Sequence, residues 1–401
     1  MNTDEHGLKP NAVSVRAKIL VSAGEASGDL YAALLVERLR SELPDAEFFG
    51  CAGARMRAAG VRPVIEAETL SVVGLLEVVH HIPRIYAAYR RMIRAARNER
   101  PDLAILTDSP DFHLRLAARL KKLGIPVVYL IAPQVWAWRK RRIRAIQCNI
   151  DRLLCIFPFE ESFFRKHDVN AEYIGHPLSG LVKPTVSREE FGRKHNLPLD
   201  KPWIALLPGS RRGEAFRHLP SILDAVPAIH RKVEAVFLVA TPEGFWRDGD
   251  SDWLRRIRAA PARVIEGKTW DVIAHAELAL AASGTVTIEA ALLGTPMVTF
   301  YKVTALSWFA GRFLVDVPYY SMVNLVAGRM VVPELMQNEM SGERLAQEAL
   351  RLLEQPGKRD ELRMGLREVA ARLSGESDPM ERAASIIRQL LNTNHGVSHV
   401  A

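Results

Sequence analysis

The stretch AKILVSAGEASGDLYAALLVERLR, residues 17–40, decides the fold class. Residues 17–23, AKILVSA, form a mostly apolar run of the kind found in strands that are buried on both faces. The turn GEASGD follows directly, and the residues from Asp29 to Leu43 place apolar side chains at the three- and four-residue spacings of a helix. A buried strand, a glycine-containing turn and a helix in succession predict the first β-α unit of a parallel sheet.

The same alternation of strand and helix recurs along the chain and predicts an α/β protein with parallel sheets. It breaks between residues 177 and 202, where four prolines and mixed charges are typical of an interdomain linker. Because 401 residues exceed what one core usually organises, we place a first domain at residues 17–185 and a second at residues 200–375. The further strand-like runs are FFGC (48–51), LAILT (103–107), VVYLI (127–131), LLCIF (153–157), WIALL (203–207), AVFLVA (235–240), ARVIE (from 262), LALAA (278–282) and MVTFY (297–301).

The composition is that of a folded protein, with 48% hydrophobic and 25% charged residues. Three cysteines, Cys51, Cys148 and Cys155, lack the CxxC spacing of a thiolate zinc site, and their odd, sparse number encodes no disulfide framework. A reducing cytosol is therefore the expected compartment. The N-terminal residues carry charges and a proline where a signal peptide needs an apolar run, so secretion is not expected.

Basic residues outnumber acidic ones, 54 to 46, and the formal net charge is +8. The arginines are bunched within residues 84–97, 139–144 and 211–217, which favours an anionic partner. Nucleic acid, nucleotide phosphates and an anionic membrane all fit this pattern. The segment from Thr69 to Arg97 also mixes apolar, aromatic and cationic residues, as does the pair Trp136 and Trp138. Such a make-up suits either an interfacial membrane helix or an ordinary half-buried surface.

The stretch from Leu278 to Tyr301 is long and apolar enough to be considered as a membrane span. The tripeptides SGT and GTP interrupt it, and a central carboxylate, Glu289, is costly in hydrocarbon. We therefore predict a strand, a loop, a helix, a turn and a strand in this stretch.

Two turns of the first domain follow predicted strands and carry polar side chains. Gly24, Glu25 and Ser27 lie in a turn whose glycines allow close approach of the backbone to a sugar or an acceptor group, although Ser27 could simply cap the next helix. Asp108 closes the run LAILT, where partial desolvation would raise its pKa toward that of a general base. Asp111 is the alternative base, and a capping role is open for both aspartates.

Two turns of the second domain have the composition of a diphosphate site. Gly209, Ser210 and Arg211 follow WIALL, and they combine a tight turn, a hydroxyl and a guanidinium that can bind phosphate oxygens in fork geometry. Ser283, Gly284 and Thr285 open an apolar helix whose free amides can bind diphosphate, and Glu289 lies about one turn further along, where it can accept the hydroxyls of a ribose. A surface turn and simple helix capping are the alternatives.

Several familiar catalytic patterns are missing from the sequence. There is no P-loop lysine, and no carboxylate cluster suggests a metal ion, so a Walker-type kinase or ATPase is disfavoured. The sequence also lacks HExxH and GxSxG, which argues against a zinc protease and an α/β-hydrolase.

Taken together, the motifs closely resemble the lipid A disaccharide synthase family of Gram-negative bacteria. The resemblance runs from about residue 17 to the C-terminus and is specific because so many motifs occur in the same order. They are GEASGD, TDSPDF, APQVWAWRKRR, FPFE, IGHP, LLPGSR, ASGTVTIEAALLGTPMV and NLVAGR.

This resemblance implies a GT-B glycosyltransferase, with two Rossmann-like domains facing a cleft and a final helix, residues 378–393, that crosses back onto the first domain. It implies that 2,3-diacylglucosamine is transferred from its UDP derivative to the 6-hydroxyl of 2,3-diacylglucosamine 1-phosphate, with inversion. The enzyme is then expected as a peripheral protein on the cytoplasmic face of the inner membrane. No cofactor, no metal and no nucleic acid partner are implied.

The resemblance also implies roles for single residues. Asp108 falls on the proposed general base of the family. Arg211, Ser210 and the turn from Ser283 to Thr285 are expected to hold the departing diphosphate, and Glu289 the ribose. His176 and Asn324 are expected to reach the cleft, although a structural histidine at the hinge is an equal alternative. The acceptor phosphate requires a cation, for which the run from Arg139 to Arg144 is the candidate.

Two other functions compete with this interpretation. A UDP-N-acetylglucosamine 2-epimerase shares the architecture and the UDP pocket but requires no acceptor. A basic RNA-binding protein would use the arginine clusters, and it is disfavoured because no aromatic-rich sheet motif accompanies them.

Overall fold

The computed structural model describes residues 17–69, 75–137, 140–304, 308 and 317–397. Within these residues, the first half of the chain forms a seven-stranded sheet with the order β3-β2-β1-β4-β5-β6-β7, in which all neighbouring strands are parallel. The strands are β1 Lys18–Ser22, β2 Glu47–Ala52, β3 Arg62–Glu66, β4 Leu103–Thr107, β5 Val127–Leu130, β6 Arg152–Cys155 and β7 Ala171–Tyr173.

The second half forms a separate six-stranded sheet with the order β10-β9-β8-β11-β12-β13, also parallel throughout. Its central strands are apolar along their whole length and fully buried, as a sheet covered on both faces requires. The strands are β8 Trp203–Leu207, β9 Val236–Thr241, β10 Ala262–Glu266, β11 Leu278–Ala282, β12 Met297–Tyr301 and β13 Glu334–Met336.

Helices connect the strands and cover the sheets. Those of the first half are α1 Ala26–Glu42, α2 Ala54–Ala58, α3 Leu75–Glu99, α4 Pro110–Lys122, α5 Ile143–Asn149 and α6 Pro158–Arg165. Those of the second half are α7 Arg188–His195, α8 Arg212–Val233, α9 Ser251–Ala259, α10 Thr269–His275, α11 Thr285–Leu292, α12 Met322–Ala327, α13 Gly342–Glu354, α14 Pro356–Ser374 and α15 Pro379–Val397. Across the described residues, no helix is both long enough and apolar enough to span a membrane.

The predicted GT-B architecture of two parallel α/β units is confirmed. In each sheet the strand order reverses at one point, between β1 and β4 in the first and between β8 and β11 in the second. Ligands of doubly wound sheets bind beyond the carboxyl ends of the strands at such a switch point. All four turns singled out in the sequence follow one of these four strands, so the topology brings them to the two crevices.

The apolar runs of the sequence match the observed strands, with two kinds of exception. The edge strands β3, β7 and β13 are absent from the predicted runs because they are partly exposed and carry polar residues, and β7 and β13 have only three residues each. Ile131 does not continue β5, since its φ of 68° lies in the left-handed region. The stretch from Leu278 to Tyr301 has the predicted strand, loop, helix, turn and strand.

Two helices differ from the sequence prediction. The apolar spacing from Pro83 to Ala96 predicts a helix with the proline in its first turn, but α3 begins at Leu75. Pro83 therefore lies inside the helix, where it removes one main-chain hydrogen bond without ending it. The predicted linker between residues 177 and 202 contains α7, whose first turn is capped by the Ser187 hydroxyl.

The last helix, α15, packs against α1 of the first unit. Ion pairs join them, from Arg388 to Glu42 at 2.8 Å and from Arg38 to Glu381 at 2.7 Å. These contacts support our proposal that the end of the chain belongs to the first domain, while the domain limits stay a prediction.

Candidate active site

A cavity of about 600 Å³ lies at the carboxyl ends of β8 and β11. Its walls come from the second unit, apart from Thr185 of the linker. All the residues that the sequence assigned to donor binding line it together, namely Gly209, Ser210, Arg211, Ser283, Gly284, Thr285 and Glu289. The two turns therefore form one pocket, as the switch-point argument predicts.

The turn after β8 depends on a glycine and a buried histidine. Gly209 has a φ of 119°, a conformation that L side chains rarely adopt, and a Cβ there would lie 2.9 Å from the Glu214 carboxyl carbon. Beneath the turn, Nδ1 of the fully buried His218 donates to the Pro208 carbonyl at 2.8 Å, and Nε2 accepts from the Lys302 amide at 3.0 Å. The buried side of the turn is therefore held by His218, and its other side is exposed to the cavity.

The two arginines after this turn have different roles. Arg212 makes a forked ion pair with Asp250, at 2.7 and 2.8 Å, and its guanidinium also lies over the Phe216 ring. Arg211 lines the cavity with 73% of its side chain exposed, and it forms a long ion pair with Glu25 across the cleft, at 4.0 Å. These contacts give Arg212 a structural role.

The turn after β11 presents a helix N-terminus to the cavity. The Ser283 hydroxyl donates to the Tyr320 carbonyl at 2.8 Å, and the Thr287 hydroxyl donates to the Gly284 carbonyl at 2.7 Å. Burial raises the pKa of Glu289 to about 7, although a hydrogen bond from Trp270 lowers it. A carboxylate in this position gains from a partner that donates hydrogen bonds, such as a pair of hydroxyls.

A second cavity of about 440 Å³ lies between the two units. The first unit contributes Ser27, Gly28, Tyr31, Asp108, Gln134 and His176 among others, and the second unit contributes Ile288, Met322 and Met336. Ser283, Gly284, Thr285 and Tyr301 line both cavities. The pocket assigned to the donor and the pocket that contains Asp108 therefore meet at the turn after β11.

Asp108 lies at the end of β4 with 12% of its side chain exposed. Its carboxylate accepts hydrogen bonds from the Gly24 amide, at 2.9 Å, and from the Glu25 amide, at 3.0 Å. Burial raises the pKa of Asp108 to about 7, although the two amides lower it. A carboxyl group with this pKa is half ionised near neutral pH and can take up a proton.

The GEASGD turn is built around this aspartate. A Cβ at Gly28 would lie 1.7 Å from Asp108 Oδ2, and a Cβ at Gly24 would lie 2.5 Å from Ser109 Oγ. Gly24 was expected to contact a sugar, but the structure makes its amide a donor to the carboxylate. Ser27 and Glu25 are exposed at the cleft, and Ser27 lines the second cavity.

Two other candidate residues, His176 and Asn324, are hydrogen-bonded to main-chain groups of the protein. His176 lines the second cavity, but its Nδ1 accepts from the Leu178 amide at 3.2 Å, and burial lowers the pKa of the imidazole to about 3. Asn324 is fully buried, with its amide nitrogen donating to the Val332 carbonyl and its oxygen accepting from the Val332 amide. It lines neither cavity, so the structure does not bring it to the cleft.

Asp111, the alternative base, lies on the outside of α4, with 73% of its side chain exposed and an ion pair to Arg142. Of the cationic run proposed for the acceptor phosphate, Arg139 lies outside the described residues, as do Trp138 and residues 70–74 of the segment from Thr69 to Arg97. No group of three or more metal-binding side chains occurs within the described ranges.

Several cleft residues escaped the sequence analysis. Tyr301 ends β12, and the rule that strand ends carry function could have found it. Trp270 lies in the first turn of α10 and Tyr31 lies in α1. An aromatic residue within a helix gives no sequence signal of a functional role. Tyr31 and Glu289 come from opposite units. The pKa of Tyr31 is raised mainly by burial and to a smaller extent by the negative charge of Glu289.

Comparisons with known proteins agree with this geometry. A family model described as lipid-A-disaccharide synthetase matches residues 19–387. The lipid-A-disaccharide synthase of Solibacter usitatus is 60% identical over 384 residues, which cover 96% of this chain and 100% of that protein.

Solved structures with the same fold are far more distant in sequence. S. aureus MnaA, in a co-structure with UDP, has a TM-score of 0.66 at 13% identity, covering 94% of this chain and 97% of that one. The UDP-GlcNAc 2-epimerase of Neisseria meningitidis, bound to UDP-GlcNAc, has a TM-score of 0.60 at 12% identity, covering 94% and 100%. At such identities the likeness concerns the fold alone.

Proposed function

The chain belongs to the lipid-A-disaccharide synthetase family, and from that premise we propose its substrates, its catalytic groups and its site of action. Membership makes it a glycosyltransferase that forms the lipid A disaccharide from a sugar nucleotide and a lipid-linked sugar. We propose UDP-2,3-diacylglucosamine as the donor and 2,3-diacylglucosamine 1-phosphate as the acceptor.

The observation that carries this proposal is the shared wall between the two cavities. The donor's diphosphate fits between Arg211 and the turn from Ser283 to Thr285, and Asp108 faces the adjoining cavity. A donor sugar bound at the common wall would expose its anomeric carbon to an acceptor in the second cavity. This arrangement suits a direct displacement between two bound substrates.

In the proposed reaction, the ionised Asp108 takes the proton from the acceptor's 6-hydroxyl. The oxygen attacks the anomeric carbon as the bond to the diphosphate breaks, and the bonding electrons leave with UDP, so the configuration inverts. Arg211 and the amides at the start of α11 stabilise the negative charge that develops on the leaving group. Glu289 accepts hydrogen bonds from the ribose hydroxyls. No step in this scheme calls on a metal ion or another cofactor.

We also propose that the enzyme works as a peripheral protein at the cytoplasmic face of the inner membrane. The part of α3 from Arg84 onward supports this, because Met92 and Ala96 are buried while its arginines are exposed. A cationic helix surface of this kind is attracted to anionic lipid. The exposed arginines are Arg84, Arg90, Arg91, Arg94 and Arg97.

The test is a reaction of the purified protein with synthetic donor and acceptor, followed by mass spectrometry of the products. We expect a tetraacyl disaccharide 1-phosphate and one equivalent of UDP, with no reaction of the donor alone. An epimerised UDP-sugar formed without any acceptor would contradict the transferase proposal and favour the epimerase alternative. Inversion is checked by the anomeric coupling constant of the product.

A further inference from the structure

The main-chain oxygen of Asp108 accepts two side-chain hydrogen bonds. One comes from Nδ1 of His113, in α4, at 2.9 Å. The other comes from the hydroxyl of Tyr129, in β5, at 2.5 Å. Both side chains are fully buried. Neither lines the first cavity, assigned to the UDP-sugar, or the second cavity that contains Asp108, so both contact the turn from its buried side.

That turn has a costly backbone conformation. Asp108 has a φ of 53° and Ser109 a φ of 35°, so two consecutive residues with side chains lie in the left-handed region. Such residues cost about 1–3 kcal/mol each and persist only where their surroundings determine them strongly. Hydrogen bonds to the carbonyl of the first residue provide that determination, because they fix the orientation of the peptide plane between the two.

The donor role of His113 is itself fixed. Its Nε2 lies 2.8 Å from the hydroxyl of Ser22, in β1. Because Nδ1 faces a carbonyl oxygen, which can only accept, the ring proton must be on Nδ1 and Nε2 must accept from the serine. Burial also lowers the pKa of His113 to about 4, so the ring is neutral at physiological pH. A neutral ring adds no cation beside Asp108.

We propose that His113 and Tyr129 are positioning residues for the transfer reaction: their hydrogen bonds to the Asp108 carbonyl hold the left-handed turn that keeps the carboxylate in its partly desolvated place at the second cavity. The proposal rests on the proposed role of Asp108 as the base. Residues of β1, α4 and β5 thereby fix the main chain of Asp108, while the turn between β1 and α1 donates hydrogen bonds to its carboxylate.

If the turn relaxes, the carboxylate becomes more exposed to water. Burial is the largest influence on the pKa of Asp108, so this exposure is expected to lower it. The ionisable groups around the carboxyl are the Glu25 side chain, which raises its pKa, and the rings of His113 and Tyr129. Asp111 and Arg142 pair with each other further out.

The second unit offers a matched histidine. His218 is also fully buried and also donates from Nδ1 to a carbonyl at a strand end, here that of Pro208 at 2.8 Å. It supports the turn proposed to bind the diphosphate. Replacing it by leucine, which removes this donor, is therefore expected to raise the donor KM, whereas changes beneath Asp108 are expected to lower kcat.

The experiment compares Tyr129→Phe, His113→Leu and His113→Asn in the full-length protein. Asparagine can place its amide nitrogen near the position of Nδ1, so it keeps the donor that leucine removes. We expect kcat to fall roughly tenfold for Tyr129→Phe and up to about 100-fold for His113→Leu, since a displacement of about 1 Å at a reacting group can cost that much. His113→Asn is expected to recover most of the loss.

Tyr89→Phe is the control. Its hydroxyl also donates to a main-chain carbonyl of α4, that of Arg115 at 3.3 Å, but it has no contact with the Asp108 carbonyl. We expect this variant to keep the wild-type rate. UDP affinity, measured by calorimetry, is expected to stay unchanged in all the variants beneath Asp108.

The decisive measurement is the pH dependence of kcat/KM for the acceptor at saturating donor. In Tyr129→Phe and His113→Leu the acid limb is expected to shift to lower pH, which a general loss of stability would not cause. An unmoved or upward-shifted limb, or a wild-type kcat in Tyr129→Phe, overturns the inference. If His113→Leu does not fold, Tyr129→Phe decides alone. Activity in Asp108→Asn would instead overturn the assignment of the base.

Discussion

The turns after β4 and β11 occupy equivalent places in the two sheets, each following the strand that pairs with the first strand of its unit. They are built in opposite ways. The turn at Asp108 is closed, because the protein itself occupies its hydrogen-bonding groups. Main-chain amides donate to the carboxylate, and the side chains of His113 and Tyr129 donate to the main-chain carbonyl. The turn at Gly284 is open, and a Cβ there would meet no atom within 4 Å.

The difference follows from what each turn is proposed to do. A general base must have its geometry and pKa fixed before the substrate arrives, so its contacts come from the protein. A phosphate-binding turn must leave its donors available to the ligand, so its contacts are completed only on binding. The turn of the first unit is therefore held rigid by the protein, whereas the turn of the second unit leaves its amides accessible to a ligand.

The largest expected effect comes from removing the base. Asp108→Asn keeps the size and the acceptor oxygen of the side chain but cannot take up a proton. We expect kcat to fall by about 10²–10⁴, the usual contribution of general base catalysis, while UDP affinity is unchanged. Steady-state kinetics and calorimetry test this, and a variant with near-normal turnover would show that another group is the base.

The pH profile of the wild-type enzyme gives the same test without a mutation. The pKa of Asp108 is raised to about 7, and the base is active only when ionised. Turnover is therefore expected to rise as the pH increases through 7 and then to level off. An activity that is already maximal at pH 5 would contradict the assignment.

Next in size is the loss of the exposed cation in the open half of the cleft. Arg211→Ala is expected to lower kcat by about 10²-fold, comparable to removing one donor that stabilises a developing anion. The melting temperature should not fall, since the Arg211 side chain is 73% exposed and its ion pair with Glu25, at 4.0 Å, is long. Arg212→Ala is the matched variant, and its lost fork to Asp250 is expected to reduce stability. The reverse pattern would exchange the roles of the two arginines.

Sequence reasoning found the parts of this site that follow apolar strands. Asp108, Arg211 and Ser283 each come within four residues of a strand that the pattern predicted, so topology alone brings them to the cleft. His113 and His218 lie inside helices, and no pattern in the sequence shows that their rings turn toward a strand end. Their hydrogen-bond partners become apparent only when the helix packs against the sheet.

The glycines illustrate the same limit. Gly28 belongs to a turn that sequence reasoning assigned to a substrate, because glycine there allows close approach of the backbone. The approaching group proves to be the side chain of Asp108, 80 residues further along the chain. Asn324 lies outside the two cavities for a related reason, since its hydrogen bonds with the Val332 main chain depend on how a later loop returns to α12. Local sequence predicts where a turn lies, but not what fills it.

A pair of glycine variants tests the closed and open turns directly. In Gly28→Ala the new methyl would lie 1.7 Å from Asp108 Oδ2, so we expect lower stability and a kcat reduced roughly 10- to 100-fold. In Gly284→Ala the methyl has room and the backbone is extended, so the melting temperature is expected to stay constant. Only the donor KM should rise, because the methyl occupies the wall that the two cavities share. A destabilised Gly284→Ala would show that this turn is not open.

The smallest expected effect concerns stability. The pKa of Asp108 is about 7 in the folded protein and 3.8 as an ordinary side chain, so the folded state binds the proton more tightly. The stability that this proton contributes is fully present below pH 3.8 and is lost as the pH rises through 7. Buried histidines such as His113, whose pKa is lowered, act in the opposite direction over part of this range and mask the trend in the wild type.

Comparison with Asp108→Asn isolates the contribution of the carboxyl, because the variant keeps the histidines and the main-chain carbonyl. The free energy of unfolding of the variant, relative to the wild type, is expected to increase between pH 4 and 7 and then to stay constant. Urea unfolding at several pH values measures it. A difference that does not change with pH would mean that the carboxyl is not desolvated. The closed turn would then lack the property that distinguishes it from the open one.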